Sequence, residues 1–143
     1  MALAVSLRRT NSEMNRLVHA FAGAQGLHPT DVNALAAVLD ADGPVTPGML
    51  RVHLGLTSGA VTACLDRLER AGHIRRSRDT ADRRVVHIEY VDEARRAARA
   101  FFRPLAVAGG RAGSRFDDRE LDVVRRFLDA LNDEMRQLTD PSQ

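Results

Sequence analysis

The chain lacks several features that would mark it as a secreted or membrane protein. Its 143 residues include a single cysteine, Cys64, so an internal disulfide framework is excluded and a cytoplasmic protein is expected. No run of about 18 apolar residues occurs, which predicts no membrane span and no membrane partner. The N-terminus has no basic head followed by a long apolar core and a cleavage site, which predicts no signal peptide.

Motifs of catalysis and metal binding are also missing. The five histidines are scattered, and none has a metal-ligand spacing such as HxxxH or pairs with a CxxC motif. There is no GxSxG, no Walker A loop and no GxGxxG. Residues 109–113 read GGRAG, but they follow a predicted helix instead of a strand, which argues against a phosphate loop. The sequence therefore predicts no enzyme, no cofactor and no metal site.

Lysine is absent, so all 21 basic side chains are arginine, against 19 acidic ones. Their distribution is uneven. Residues 51–84 carry eight Arg and four acidic residues (8 − 4 = +4), whereas residues 117–143 carry four Arg and eight acidic residues (4 − 8 = −4). Positive charge concentrated on one segment indicates a polyanionic partner. The apolar content of 44% excludes general disorder and allows one domain with its own core.

Residues 46–72 have the pattern of two helices joined by a tight turn. Thr46-Pro47 is a helix start, because proline loses nothing at the first helical position. Gly55-Leu56 is a break, and a second helix, about 57–71, begins with Thr57 or Ser58 as its N-cap. Apolar residues at helical spacing give each helix a buried face, namely Met49, Leu50 and Leu54, then Val61, Cys64, Leu65 and Leu68. Helix, glycine-containing turn and helix together predict a helix-turn-helix.

A charged hairpin follows directly. Ile74 begins one strand, and Val86, Ile88 and Tyr90 lie on one face of a second, with Val85 and His87 on the other face. The polar residues 79–84 form the connection, called here the wing loop. Helix-turn-helix plus hairpin predicts a winged helix over residues 29–91.

Both chain ends are predicted to be helical. A first helix spans roughly Ser6 to Ala24, and a second begins near Pro29 and stops at residues 42–44. After the hairpin, Asp92 is expected to cap a helix that Pro104 kinks or shifts in its last turn. A flexible loop at 109–114 and a capping box at Asp117-x-x-Glu120 precede the last helix. The apolar faces of residues 1–28 and 92–143 predict a dimerisation region; a monomer that covers its own core stays open.

The stretch LGLTSGAVTACLDRLERAGHIRRSRDTADRRVVHIEY resembles the MarR family of bacterial winged-helix transcription regulators. The most specific part is DRLERAGHIRR followed by D-x-x-DRR. The resemblance implies a mainly α fold with a small antiparallel β-hairpin, and a helical dimerisation lobe formed by both chain ends. It also implies a homodimer that binds double-stranded DNA, and a small anionic or phenolic ligand that alters this binding.

The resemblance assigns roles to individual residues. Ser58, Gly59 and Thr62 would lie at the reading end of the recognition helix. Asp82 would brace the wing, while Arg84 enters the minor groove and Arg83 lies near the backbone. The remaining candidates are Thr57, Arg67 and Arg78 for DNA, Arg51 for a phosphate, and Arg16, His19 and Phe101 for a ligand. Departures from the frequent family pattern are Ala63 in place of arginine, Arg51 in place of alanine, and Val52 in place of a polar residue.

Two alternatives stay open from the residues. A winged helix can serve as a protein-interaction or architectural module without an operator, although such a module has no need of Arg83 and Arg84 on its loop. Cys64 lies on an apolar stripe, which favours an inert buried thiol over a redox sensor.

Overall fold

The computed structural model describes residues 2–139 and contains six helices and one hairpin within that range. Their order along the chain is α1 (Ala2–Gln25), α2 (Pro29–Asp40), α3 (Pro47–Leu54), α4 (Ser58–Arg70), β1 (Ile74–Arg78), β2 (Val86–Tyr90), α5 (Asp92–Gly113) and α6 (Asp118–Thr139). The predicted mainly α fold with one antiparallel hairpin is confirmed.

The chain divides into two compact units, one ending at Phe101 and the other beginning at Phe102. The first unit holds a continuous apolar core to which α1, α2, α3, α4 and both strands contribute. Its most deeply buried apolar side chains include Phe21, Leu35, Leu50, Val61, Leu65, Leu68, Ile74 and Ile88. The Phe21 ring also meets the Phe101 ring edge-on, with the centroids 5.0 Å apart. Burying this set is the main stabilising contribution to the unit.

Local capping explains the helix-turn-helix. Thr46 Oγ1 accepts a hydrogen bond from the Met49 N–H at 3.3 Å, and Thr57 Oγ1 accepts one from the Ala60 N–H at 3.2 Å. Gly55 ends α3 at φ 62°, a left-handed conformation that disfavours any side chain. The predicted starts and the turn are confirmed. Met49, however, is 53% exposed instead of lining the apolar face.

The hairpin has one face that packs on the core and one polar face; Arg76 and Arg78 share the first face with Ile88 and Val86, their partners across the hairpin. Its strands pair antiparallel from Ile74 opposite Tyr90 to Arg78 opposite Val86. Ile74, Ile88 and Tyr90 are buried, as the two-residue period predicts, while the opposite face is polar. The Ile88 N–H also donates to the carbonyl of Val45 at 2.8 Å, which ties the hairpin to the segment before α3.

Two helix boundaries differ from the prediction. Helix α1 begins at Ala2, and the Ser6 hydroxyl donates to the Ala2 carbonyl inside the helix instead of capping it. Helix α5 starts with Asp92 as its first residue and continues through Pro104 to Gly113, so the predicted loop at 109–114 is wrong.

The second unit contains α6, whose start is the predicted capping box. The Asp117 N–H donates to Glu120 Oε2 at 2.9 Å, and the Glu120 N–H donates to Asp117 Oδ1 at 2.8 Å. Helix α6 leaves seven large apolar side chains substantially exposed in a single chain, namely Leu121, Val123, Val124, Phe127, Leu128, Met135 and Leu138. Among the described residues, helices of membrane-spanning length and apolarity are absent.

Candidate nucleic-acid interface

The N-terminal end of α4 presents small side chains to solvent. Ser58, Gly59, Thr62 and Ala63 are exposed, while the stripe that includes Val61 is buried on the opposite side. Thr62 Oγ1 donates to the Ser58 carbonyl at 3.0 Å, and the first turn has no acidic residue. A helix N-terminus with small side chains and no negative charge can approach a phosphate backbone or base edges closely.

Arg67, farther along α4, has a structural contact that spacing alone did not predict. Its Nη2 lies 2.6 Å from Asp31 Oδ1 and its Nε 3.0 Å from Asp31 Oδ2. Asp31 is fully buried and also accepts a hydrogen bond from the His28 N–H at 3.1 Å. Burial alone would raise the pKa of Asp31, but hydrogen bonds led by Arg67 lower it. This bidentate pair holds α4 against the start of α2 and gives Arg67 a structural role, while 44% of its side chain remains exposed.

The four acidic residues of segment 51–84 form ion pairs within the protein. Arg76 on β1 binds Asp66 Oδ1 at 2.6 Å and Glu69 Oε2 at 2.8 Å, both on α4. Asp79 pairs with His87, and Asp82 pairs with Arg84.

The remaining arginines of this segment are left exposed. Among residues 2–139, no acidic side chain forms an ion pair with the exposed Arg51, Arg70, Arg78 and Arg83. Their positive charge is therefore available to a binding partner, which supports the prediction that this partner is a polyanion.

The wing loop is folded by two aspartates. Asp79 Oδ1 accepts hydrogen bonds from the N–H groups of Ala81 and Asp82 at 2.7 and 2.9 Å. Asp82 Oδ1 in turn accepts from the Arg84 N–H at 3.0 Å and from Arg84 Nε at 3.1 Å, which lowers the pKa of Asp82. The Arg84 side chain is nevertheless 91% exposed. The loop therefore projects a braced guanidinium into solvent.

Comparison with known proteins shows to which family the chain belongs. The model of the MarR family matches residues 25–85. The chain is 36% identical to the HTH-type transcriptional regulator YcgE of Bacillus subtilis, over 94% of its own length and 90% of that protein. The chain belongs to the MarR family of winged-helix transcription regulators.

Solved MarR-like structures have the same fold. FabT of Streptococcus pneumoniae in complex with DNA superposes with a TM-score of 0.65 at 26% identity, covering 96% of this chain and 99% of FabT. MepR of S. aureus in its DNA-binding conformation gives a TM-score of 0.75 at 17% identity, covering 94% and 99% of the two chains, and supports the fold alone. As a MarR-family member the chain is a DNA-binding transcription regulator and not an enzyme.

Sequence reasoning missed one residue of the wing, Asp79. The signal was present, because Asp79 is the first aspartate of D-x-x-DRR, of which only the second was given a role. In the structure Asp79 accepts three hydrogen bonds and thereby organises the loop on which Asp82 acts.

The three ligand candidates do not form an enclosed site in the described structure. Arg16 is exposed and pairs with Glu13 at 3.3 Å, His19 is exposed on the same helix, and Phe101 packs on Phe21. A cavity of about 410 Å³ lies elsewhere, between residues 38–45, β2 and the start of α5. Within residues 2–139 there is also no group of three metal-ligating side chains.

Cys64 has the surroundings of an inert thiol. It is 1% exposed, and burial, followed by its hydrogen bond with Asp31, raises its pKa to about 12. Because the thiolate is the reactive species, this environment opposes oxidation or modification in the native state.

Proposed function

We propose that this MarR-family regulator is a sequence-specific repressor that acts in the cytoplasm on an inverted-repeat operator. Residues 57–71, with α4, would enter the major groove, and the wing loop, residues 79–84, the adjacent minor groove. The observation that carries the proposal is the division of charge: the acidic residues of segment 51–84 form ion pairs, while the exposed Arg51, Arg78 and Arg83 have no acidic partner among residues 2–139. Such a surface suits phosphate contacts that position the reading helix.

Exposed apolar side chains support a homodimer. Helix α6 leaves Leu121, Val124 and Leu128 at 39–49% exposure, and large exposed apolar patches mark interaction sites. We assign the dimerisation region to residues 1–28 and 92–143. A two-fold dimer requires two half-sites about one helical turn apart, roughly 34 Å, on one side of the duplex.

Release by a small anionic or phenolic ligand completes the proposed repressor. By linkage, a ligand that weakens DNA binding must itself bind more weakly to the DNA-bound form. Arg16 and His19 support an anion site because both are exposed on α1, three residues apart, and Phe101 supplies an aromatic surface in the same unit.

Selection from random duplexes tests the operator. The full-length protein should enrich an inverted repeat whose half-site centres are about 10 base pairs apart. Failure to enrich any sequence would contradict the proposed repressor function. It would favour the alternative function, in which the winged helix is a protein-interaction or architectural module. The exposed Arg84 on a braced loop favours the DNA reading.

Arg84→Ala tests the wing. Loss of a groove contact should weaken binding to the enriched duplex by roughly ten- to a hundredfold, and should reduce the slope of affinity against salt if a phosphate contact is also lost. Arg99→Ala, which removes an exposed arginine from the middle of α5, is the matched control; once sedimentation has shown that it keeps the mass of the unchanged protein, it should bind like that protein. Equal affinities of both variants in a fluorescence-anisotropy titration would rule out the wing contact.

A further inference from the structure

Asp79 lies at the base of the wing loop and closes it. Its Oδ1 accepts the two backbone hydrogen bonds from Ala81 and Asp82, and its own N–H donates to the Val85 carbonyl at 3.0 Å. These bonds fix the backbone between the two strands. They hold Asp82 in place, and Asp82 in turn orients Arg84 through a hydrogen bond of its own.

The second oxygen of Asp79 is held from β2. His87 Nε2 lies 2.8 Å from Asp79 Oδ2, and only 19% of the His87 side chain is exposed. His87 Nδ1 is buried and has no hydrogen-bond partner among the described residues. A proton on Nε2 therefore suits this site, because it makes His87 the donor to a carboxylate and leaves no buried N–H without an acceptor.

The other charged group near His87 is engaged elsewhere, so Asp79 is the carboxylate to which His87 donates. Glu89 is close enough to His87 for an electrostatic interaction, but its carboxylate already accepts from Ser77 Oγ at 2.7 Å and from Arg75 Nε at 2.7 Å. All of these side chains except Asp79 lie on the polar face of the hairpin. The hydrogen bond from His87, followed by those from Asp82 and Ala81, lowers the pKa of Asp79 to about 2 and keeps the carboxylate ionised.

We propose that His87 is a positioning residue for DNA binding: by donating to Asp79 it holds that carboxylate where it folds the wing loop and presents Arg84. This inference rests on the proposed function of Arg84 as a groove contact. It gives His87 no contact with DNA itself. His87 on β2 and Asp79 in the wing loop thus act together to position Arg84.

Two substitutions separate the hydrogen bond from the volume of the side chain. His87→Leu keeps an apolar side chain without a donor, and His87→Gln offers an N–H group at a similar reach. On the inverted-repeat duplex recovered by selection, His87→Leu should lose roughly tenfold in affinity, and His87→Gln should restore most of that loss. Equal affinities of His87→Leu and the unchanged protein would overturn the proposal.

A double-mutant cycle shows whether His87 acts through the wing. In an Arg84→Ala background, His87→Leu should cause little further loss, because the contact it positions is already gone. An undiminished tenfold loss in that background would show a general structural role and overturn the proposal. If His87→Leu does not fold, as judged by its circular dichroism melt, Asp79→Ala replaces it in the same cycle with the same two outcomes.

A titration without DNA separates failure of this proposal from failure of the proposed function. By carbon-detected NMR, the Asp79 carboxyl should titrate near pH 2 in the unchanged protein. In His87→Leu its pKa should move toward about 3.9, and the Ala81 and Asp82 amides should exchange faster. An unchanged titration in His87→Leu would refute the positioning role, whatever DNA the protein binds.

Discussion

At the scale of single residues, the pair of the buried Asp31 and Arg67 shows that an arginine of the reading helix can have a structural role. Both residues are charged, and Arg67 lies on the helix assigned to DNA reading, so sequence position alone predicts a DNA contact. The structure places its guanidinium on a fully buried carboxylate. The same chemistry that suits arginine to phosphate also suits it to a bidentate carboxylate.

Asp31→Asn should therefore destabilise the fold. Removing one partner of a buried pair costs several kcal/mol, but Arg67 is 44% exposed and water screens it, so a loss of about 2 kcal/mol is expected in urea unfolding at pH 7. The folded pKa of Asp31 lies below its ordinary value, so its contribution is present above about pH 4 and is lost as the pH falls through the folded pKa.

The control for this pair is Asp129→Asn. Asp129 pairs with Arg125 on α6, but both side chains are more than 60% exposed. This substitution should change the free energy of unfolding by less than about 0.5 kcal/mol. Equal effects of the two substitutions at pH 7 would contradict the assignment.

Cys64 permits a second prediction at this scale. A buried thiol with a pKa of about 12 holds almost no thiolate at neutral pH. A disulfide reagent at pH 8 should therefore label the native protein slowly and the urea-unfolded protein fast. Rapid native labelling accompanied by loss of DNA binding would instead establish a redox switch.

At the scale of elements, glycine has a different role in the turn than in the reading helix. Gly55 has φ 62°, and Gly59 lies in the first turn of α4; a methyl group added at either position would meet no atom within 4 Å. Gly55→Ala should lower stability by about 1 to 2 kcal/mol because of its left-handed backbone. Gly59→Ala should leave stability equal or raise it by up to about 1 kcal/mol.

DNA affinity should respond differently. The added methyl of Gly59→Ala would stand on the exposed surface proposed to face the major groove, and overpacking there should weaken binding at least about fivefold. Gly110→Ala adds the same group to an open position of α5 and should leave affinity unchanged. Thermal melts and anisotropy titrations of the two variants check this. Unaltered affinity of Gly59→Ala would remove the N-terminal end of α4 from the interface.

At the scale of the whole molecule, oligomeric state tests the apolar face of α6. The chain has a mass of 15.7 kDa, so sedimentation at concentrations on the order of micromolar should give twice that mass. Leu128→Asp places a charge on the exposed apolar face and should shift the protein toward 15.7 kDa. Val52→Asp is the control, because Val52 is 75% exposed on α3, outside the proposed dimerisation region. A 15.7 kDa species for the unchanged protein would refute the homodimer.

Much of the fold followed from local signals. Thr46, Gly55 and Thr57 act through contacts within four residues, so their sequence spacing was sufficient to place the helix-turn-helix. Helix propensity around Pro104 was misjudged, because glycines and a proline together resemble a loop although the chain continues as a helix. The candidate wing residues Asp82, Arg83 and Arg84 were predicted from the D-x-x-DRR motif, whereas the role of its first aspartate, Asp79, emerged only from the structure.

The sequence by itself determined the order of the elements, the winged-helix pattern and the concentration of arginine on residues 51–84. Capping, hydrophobic periodicity and motif spacing are local properties of the chain, and sequence records them directly. Only the tertiary structure decided which arginines are engaged. Asp31 and Arg67 are 36 positions apart, and Asp79 meets His87 across a hairpin, so their pairing depends on how helices and strands pack. Such contacts are fixed when distant segments fold together, and no local pattern specifies them.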